Sequence, residues 1–100
     1  MIYIIDIDNT ICKTNASLYE DSQPYPEKIK KINQLYDDGH KIIYWTARGS
    51  SSGLDWSELT EKQLKSWGCK YHELRLGKPS YDIWVDDKAI NEKDFFSLWT

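Results

Sequence analysis

Three short apolar runs, each ending in a cluster of acids or hydroxyls, narrow the folds open to this chain. Ile2-Tyr3-Ile4-Ile5 leads into Asp6-Ile7-Asp8-Asn9-Thr10, and Ile42-Ile43-Tyr44-Trp45 leads into Thr46-Ala47-Arg48. Ile83-Trp84-Val85 leads into Asp86-Asp87. Runs of this length, rich in β-branched and aromatic residues, read as buried strands. In an open parallel α/β sheet the carboxyl ends of the strands are where ligands bind. Asp6, Asp8, Thr46 and Asp86 are therefore expected along one sheet edge, with Lys78 on a loop nearby. Such a set suits a magnesium ion together with a phosphate.

The stretches between these runs support the same architecture. Strands are expected over 2–6, 41–46, 70–74 and 82–86, and residues 11–25 read as polar and irregular. Pro26 suits the first turn of a helix that Gly39 stops, with Ile29, Ile32, Leu35 and Tyr36 on its buried face. Lys28, Lys30 and Lys31 then form its solvated side. Gly49–Gly53 reads as a loop, and Asp55 followed by Glu58 resembles a capping box opening a helix that Gly68 ends. Asn91 and Asp94 suit the cap of a last short helix. The β-α-β-α-β-β-α order implies a parallel sheet with helices on both faces, in a single domain over 1–100.

Composition excludes several classes. The net charge of −3 argues against general binding to a nucleic-acid backbone, which needs a basic surface. No apolar run approaches a membrane span. The N-terminus enters a strand with no basic leader, and Cys12 and Cys69 have neither a disulfide framework nor metal-site spacing, so a reduced, cytoplasmic protein is expected. Of the five Trp, Trp45 and Trp84 are expected as core filler. Trp56, Trp67 and Trp99 suit an interface or pocket wall, which leaves room for self-association.

Each cluster is weak evidence by itself. An Asp-x-Asp pair is common in acidic chains, Asp86-Asp87 suits a turn with a helix cap, and Thr46, Arg48 and Lys78 all have ordinary structural uses. Alternation puts Asp6 and Asp8 on one side of an extended segment. Two carboxylates so close repel, which favours a cation between them or a raised pKa on one. The weight lies in the set recurring at strand ends.

Asp6-x-Asp8-x-Thr10, Thr46, Lys78 and Asp86-Asp87 resemble the four motifs of the haloacid dehalogenase superfamily of phosphotransferases. Thr46-Ala47-Arg48-Gly49, Trp67-Gly68, Gly77-Lys78-Pro79-Ser80-Tyr81-Asp82 and Asp86-Asp87-Lys88-Ala89 look more narrowly like capsule or polysaccharide biosynthesis phosphatases. The resemblance implies an α/β, three-layer Rossmann-like fold with a small parallel sheet. It implies that Asp6 attacks phosphorus and that Asp8 serves as general acid and base. Asp6, Asp86 and the Asp8 backbone carbonyl would bind Mg2+. Thr46 and Lys78 would hold the phosphoryl oxygens, with Asp87 orienting water or Lys78. Arg48, Asn9 and Thr10 are candidate substrate contacts, and Thr10 also fixes the loop carrying Asp8. Neither the Thr10–Thr46 gap nor the Thr46–Lys78 gap can hold a cap domain, so an open site is expected, bordered by the Gly49–Asp55 loop. The expected activity is phosphomonoester hydrolysis of a small phosphorylated sugar or related metabolite. The alternatives are a polynucleotide end phosphatase and a non-catalytic regulatory protein of the same fold.

Overall fold

The computed structural model describes residues 1–98; Trp99, expected at an interface or pocket wall, lies outside the described residues. In chain order the elements are β1 (Ile2–Ile5), β2 (Cys12–Lys13), a 3-10 turn (Tyr19–Asp21), β3 (Gln23–Pro24), α1 (Pro26–Asp37) and β4 (Lys41–Trp45). After these come α2 (Ser57–Ser66), β5 (Glu73–Arg75) and α3 (Glu92–Ser97). β1, β4 and β5 form a parallel sheet in that spatial order, with β4 central. Its register runs Ile2 to Lys41 through Ile5 to Tyr44, then Ile43 to Glu73 through Trp45 to Arg75.

The helices start and stop where local chemistry directs. Pro26 opens α1, where its missing N–H costs nothing and its fixed φ suits the first turn. Asp55 Oδ1 accepts from the Ser57 backbone N–H at 2.9 Å and from the Ser57 hydroxyl at 2.6 Å. These bonds hold the Asp55 carboxyl below the usual carboxylate range; the N-cap position of α2 is Trp56, and no side chain caps it, so the expected Asp55–Glu58 capping box does not form. Asn91 caps α3 by accepting from the Lys93 N–H at 3.0 Å.

Most of the core lies on one face of the sheet, with Ile43 buried on the other. Ile5, Ile42 and Tyr44 meet Ile29, Ile32 and Leu35 of α1, Leu64 of α2 and Phe96 of α3 in one buried cluster. Ile32 is fully buried, so truncating it to Ala costs about 2–5 kcal/mol. The register gives the reason for the one-sided arrangement. Both crossovers step in the same direction, β1 to β4 to β5, and right-handed crossovers then place α1 and α2 on the same side. Helices were expected on both faces, and the structure corrects this. Ile2 and Ile4, pointing to the opposite face, remain 67% and 55% exposed.

Two further expectations change. Residues 82–86 do not form a strand. Ile83 and Val85 are 81% and 91% exposed, and Trp84, expected in the core, is 41% exposed. A three-residue apolar run gains strand geometry only by pairing with a neighbour, and 82–86 pairs with neither edge of the β1-β4-β5 sheet. Conversely, the irregular 11–25 segment contains an antiparallel pairing of Cys12–Lys13 with Gln23–Pro24. Among the described residues no helix is long and apolar enough to cross a membrane.

Candidate functional site

Asp6 and Asp8 flank Ile7, which is fully buried. That anchor turns both carboxylates toward the carboxyl end of β1, as strand alternation dictates. The chain then reverses at once: the Thr10 and Ile11 N–H groups donate to the Ile7 carbonyl at 3.1 and 3.0 Å. Asn9 sits at φ 62°, a left-handed conformation that Asn tolerates better than most residues. Its side-chain oxygen accepts from the Thr14 N–H at 3.1 Å. Asn9, a candidate substrate contact, is thus a turn residue whose amide secures the returning chain.

The two carboxylates have different partners. Asp6 Oδ2 accepts from the Thr10 hydroxyl at 2.8 Å, and Asp6 Oδ1 faces the Lys78 ammonium at 3.4 Å. The Asp6 side chain keeps 39% of its surface open. Lys78 is delivered by backbone pins: its N–H donates to the Thr46 carbonyl at 3.2 Å, and its carbonyl accepts from the Ser50 hydroxyl at 2.6 Å. Its ammonium also lies 5.4 Å from the Tyr81 ring centre and 5.9 Å from that of Trp84. Both distances allow a cation–π attraction that directs the ammonium.

Asp8 is held by Arg48. Arg48 Nε donates to Asp8 Oδ2 at 3.0 Å and Nη2 donates to Oδ1 at 2.8 Å. Oδ1 also accepts from the Thr14 hydroxyl at 2.6 Å. The remaining guanidinium hydrogens go to Thr60 Oγ1 at 3.1 Å, Gln63 Oε1 at 2.6 Å and Ser22 Oγ at 3.5 Å. Its face lies over the Tyr19 ring, 4.8 Å from the centre. All five N–H donors of a guanidinium are therefore engaged, on a side chain with no exposed surface. Arg48 was expected as a candidate substrate contact; in this structure its donors are all engaged within the protein and its side chain has no exposed surface.

Thr46 is 1% exposed, and its hydroxyl oxygen accepts from the Arg48 N–H at 3.1 Å. The hydroxyl proton is left to donate. Asp86 is not brought into the cluster by any described contact. Its Oδ1 accepts from the Lys88 N–H at 2.7 Å, a bond that holds its carboxyl below the usual range. Asp87, expected to orient water or Lys78, is exposed on the same segment. Among the described residues no three His, Cys, Asp or Glu side chains are grouped to hold a metal ion.

Thr14, Ser22, Thr60 and Gln63 belong to this site and were not anticipated. Thr60 and Gln63 stand three apart on α2 and so share a helix face, a pattern that marks a polar stripe without naming its partner. Nothing in the 11–25 segment distinguished Thr14 and Ser22 from ordinary loop residues.

A cleft of about 250 Å3 is lined by Ala47 and Gly49, which flank Arg48 in the chain, with Tyr19, Leu54 and Trp56 among its walls. The Gly49–Asp55 loop bends to form one side of it. Gly49, at φ 82°, allows the bend: a Cβ there would collide with the Leu54 carbonyl oxygen and lie 3.2 Å from Trp56 Cδ1.

No family model matches the chain, and no curated protein matches it. A crystal structure of a target protein from Vibrio cholerae is similar in fold, with a TM-score of 0.85 and 24% sequence identity. The match covers 96% of this chain and 87% of that one. The likeness extends to the fold alone.

Proposed function

We propose that this chain is a phosphomonoester hydrolase of the haloacid dehalogenase kind, acting with Mg2+ on a small phosphorylated sugar or related metabolite. The observation that carries the reading is the unequal treatment of the two carboxylates. Asp6 is accessible and faces an ammonium, as a nucleophile meeting a phosphate requires. Asp8 is two residues away with its side chain locked in place.

The metal fits in part. Mg2+ commonly takes one or two protein carboxylates and fills its shell with water and phosphate oxygens. Asp6 offers accessible hard oxygens. Asp8 has both side-chain oxygens occupied by Arg48 and Thr14, so its backbone carbonyl is its available donor. Asp86, expected as a further ligand, stands apart from this pair. When bound, the ion offsets the repulsion between an anionic nucleophile and an anionic phosphate.

In the proposed reaction an Asp6 oxygen forms a bond to phosphorus, and the bond from phosphorus to the ester oxygen breaks. Lys78 and the Thr46 hydroxyl offset charge on the phosphoryl oxygens. The departing oxygen takes a proton from Asp8, which must have left the Arg48 clamp and taken up that proton beforehand, since the clamp holds it as the carboxylate. Water then attacks phosphorus, passes a proton to Asp8 and releases Asp6 with inorganic phosphate. Asp8 must give up one Arg48 or Thr14 bond to reach the departing oxygen, so side-chain rotation belongs to the cycle.

The test is phosphate release from phenyl phosphate with Mg2+, using wild-type protein and Asp6→Asn. Turnover by the wild type and its loss in the variant is expected. Equal rates in the two would sink the reading. A second reading, a non-catalytic phosphate-binding protein of the same fold, is favoured by the fully occupied Asp8 carboxylate. It requires phosphate binding by both proteins without turnover. The polynucleotide alternative is disfavoured by Glu20, Asp55 and Glu58, which cluster on the far side of Trp56 and repel a polyanion.

A further inference from the structure

Arg48 has two sets of partners. Its Nε hydrogen and one Nη2 hydrogen go to the Asp8 carboxylate. Its other N–H groups go to neutral oxygens: Nη1 donates to Thr60 Oγ1 and Gln63 Oε1, and Nη2 also donates to Ser22 Oγ. The Gln63 bond, at 2.6 Å, is shorter than either bond to Asp8. When Asp8 leaves the clamp, the neutral acceptors stay behind, and so does the Tyr19 ring against the guanidinium face. A guanidinium, weakly hydrated and able to stack on a ring, tolerates such a seat better than an ammonium.

Gln63 is itself fixed at both ends. Its Nε2 donates to the Tyr19 carbonyl at 2.6 Å, and that carbonyl also accepts from the Ser22 N–H at 3.2 Å. A flipped amide would set N–H groups against the guanidinium, donor against donor, so one orientation alone serves both partners. Thr60 shares this face of α2. Its hydroxyl donates to the Trp56 carbonyl at 2.7 Å, which leaves its oxygen to accept from Arg48. Thr60 is thus anchored within its own helix region, whereas Gln63 ties α2 to the segment carrying Tyr19 and Ser22.

Asp8 and Arg48 are joined by opposite charge as well as by two bonds. An Arg48 free to move would follow the carboxylate outward. Asp8 would then remain paired, and a paired carboxylate has no proton to give. We propose that Gln63 is a positioning residue for the acid–base step: it retains Arg48 while Asp8 swings to the departing oxygen, so that Asp8 moves without its counter-charge. The inference rests on the hydrolase reading above and deepens it.

Gln63 acts through Arg48: its hydrogen bonds go to Arg48 and Tyr19 and reach neither Asp6 nor Lys78. Its loss should therefore be felt only where Asp8 must give a proton. Phenyl phosphate releases a phenol, of pKa about 10, which departs with a proton. Acetyl phosphate releases a carboxylate, whose acid has a pKa of about 4 and which departs without one. A side chain that served only the fold would affect both esters alike.

The experiment compares kcat/KM for the two esters with Mg2+, a quantity that reads the steps up to departure of the leaving group. Gln63→Met removes both hydrogen bonds at nearly the same side-chain length. Its kcat/KM for phenyl phosphate should fall by about tenfold or more, while that for acetyl phosphate stays within about twofold of wild type. Gln63→Glu keeps an acceptor for Arg48 and loses the donor to Tyr19, so it should restore most of the phenyl phosphate rate. Heteronuclear NMR of the Arg48 Nε–H should show exchange with water about tenfold faster in Gln63→Met than in wild type. An equal loss toward both esters, no loss toward either, or a Gln63→Glu protein as impaired as Gln63→Met would overturn the assignment. If wild-type protein is inert toward both esters, the hydrolase reading fails, and the exchange rate still decides whether Gln63 seats Arg48: an unchanged rate overturns that as well.

Discussion

Arg48 grips both carboxylate oxygens of Asp8 from forty positions further along the chain. The pair is a fork-to-fork contact in which two parallel bonds fix the plane of the carboxylate as well as its position. Lysine would keep the charge and lose the plane. Arg48→Met leaves the Asp8 charge without its partner and three further acceptors without a donor. The expected cost is about 3–5 kcal/mol, a large share of the stability of a domain this size. Urea denaturation measures it, and a loss under 1 kcal/mol would show that the clamp is not a structural keystone.

The Gly49 bend predicts a contrast between two glycines. Gly49 and Gly53 both have positive φ, at 82° and 77°. A Cβ at Gly49 meets the Leu54 carbonyl and Trp56, whereas a Cβ at Gly53 meets nothing. Gly53→Ala should therefore cost about 1–2 kcal/mol from the backbone alone, and Gly49→Ala clearly more. Thermal melts of the two variants give the difference directly, and equal melting temperatures would remove the steric argument.

Alkaline pH should weaken the fold through Cys69. Burial pushes its thiol pKa up to about 11, while the unfolded thiol ionises near 8.5. Between those values the unfolded chain holds fewer protons than the folded one, so stability falls as pH rises. The contribution is intact below about pH 8.5 and is progressively lost towards pH 11. Urea midpoints at several pH values should slope downward in the wild type and less steeply in Cys69→Ala. Parallel slopes would assign the effect to other groups.

Among the described residues the buried Tyr44 hydroxyl finds no hydrogen-bond partner, and the neighbouring Cys69 thiol is too weak a partner to satisfy it. Desolvation drives its phenol pKa upward. Tyr44→Phe removes the unpaired group and keeps the ring, so a gain of about 1 kcal/mol is expected. A destabilised variant in chemical denaturation would reveal a bond the hydroxyl makes after all.

The sequence carried the parts that depend on near neighbours. The runs ending at Asp6 and Thr46 announced strands because four apolar residues in succession have few other uses. Pro26 and Gly39 bracketed α1 through backbone geometry alone. Residues 82–86 misled because Ile83-Trp84-Val85 has strand composition but pairs with no strand of the sheet. The roles of Arg48 and Thr14 were hidden for another reason. A buried guanidinium and a ligand-binding one look alike until the distant acceptors Thr60 and Gln63 are known. The two-residue pairing of Cys12–Lys13 is too short to leave any periodic pattern.

The contact between Lys78 and Asp6 spans 72 positions, and this separation sets a timetable for the chain as it is made. β1 leaves the ribosome first, with Asp6 and Asp8 already exposed at its end. At roughly 5–20 residues per second, Lys78 follows about 4–14 s later. Arg48 arrives well before it, so Asp8 can be neutralised while Asp6 still waits. During synthesis Arg48 therefore becomes available to Asp8 before Lys78 becomes available to Asp6.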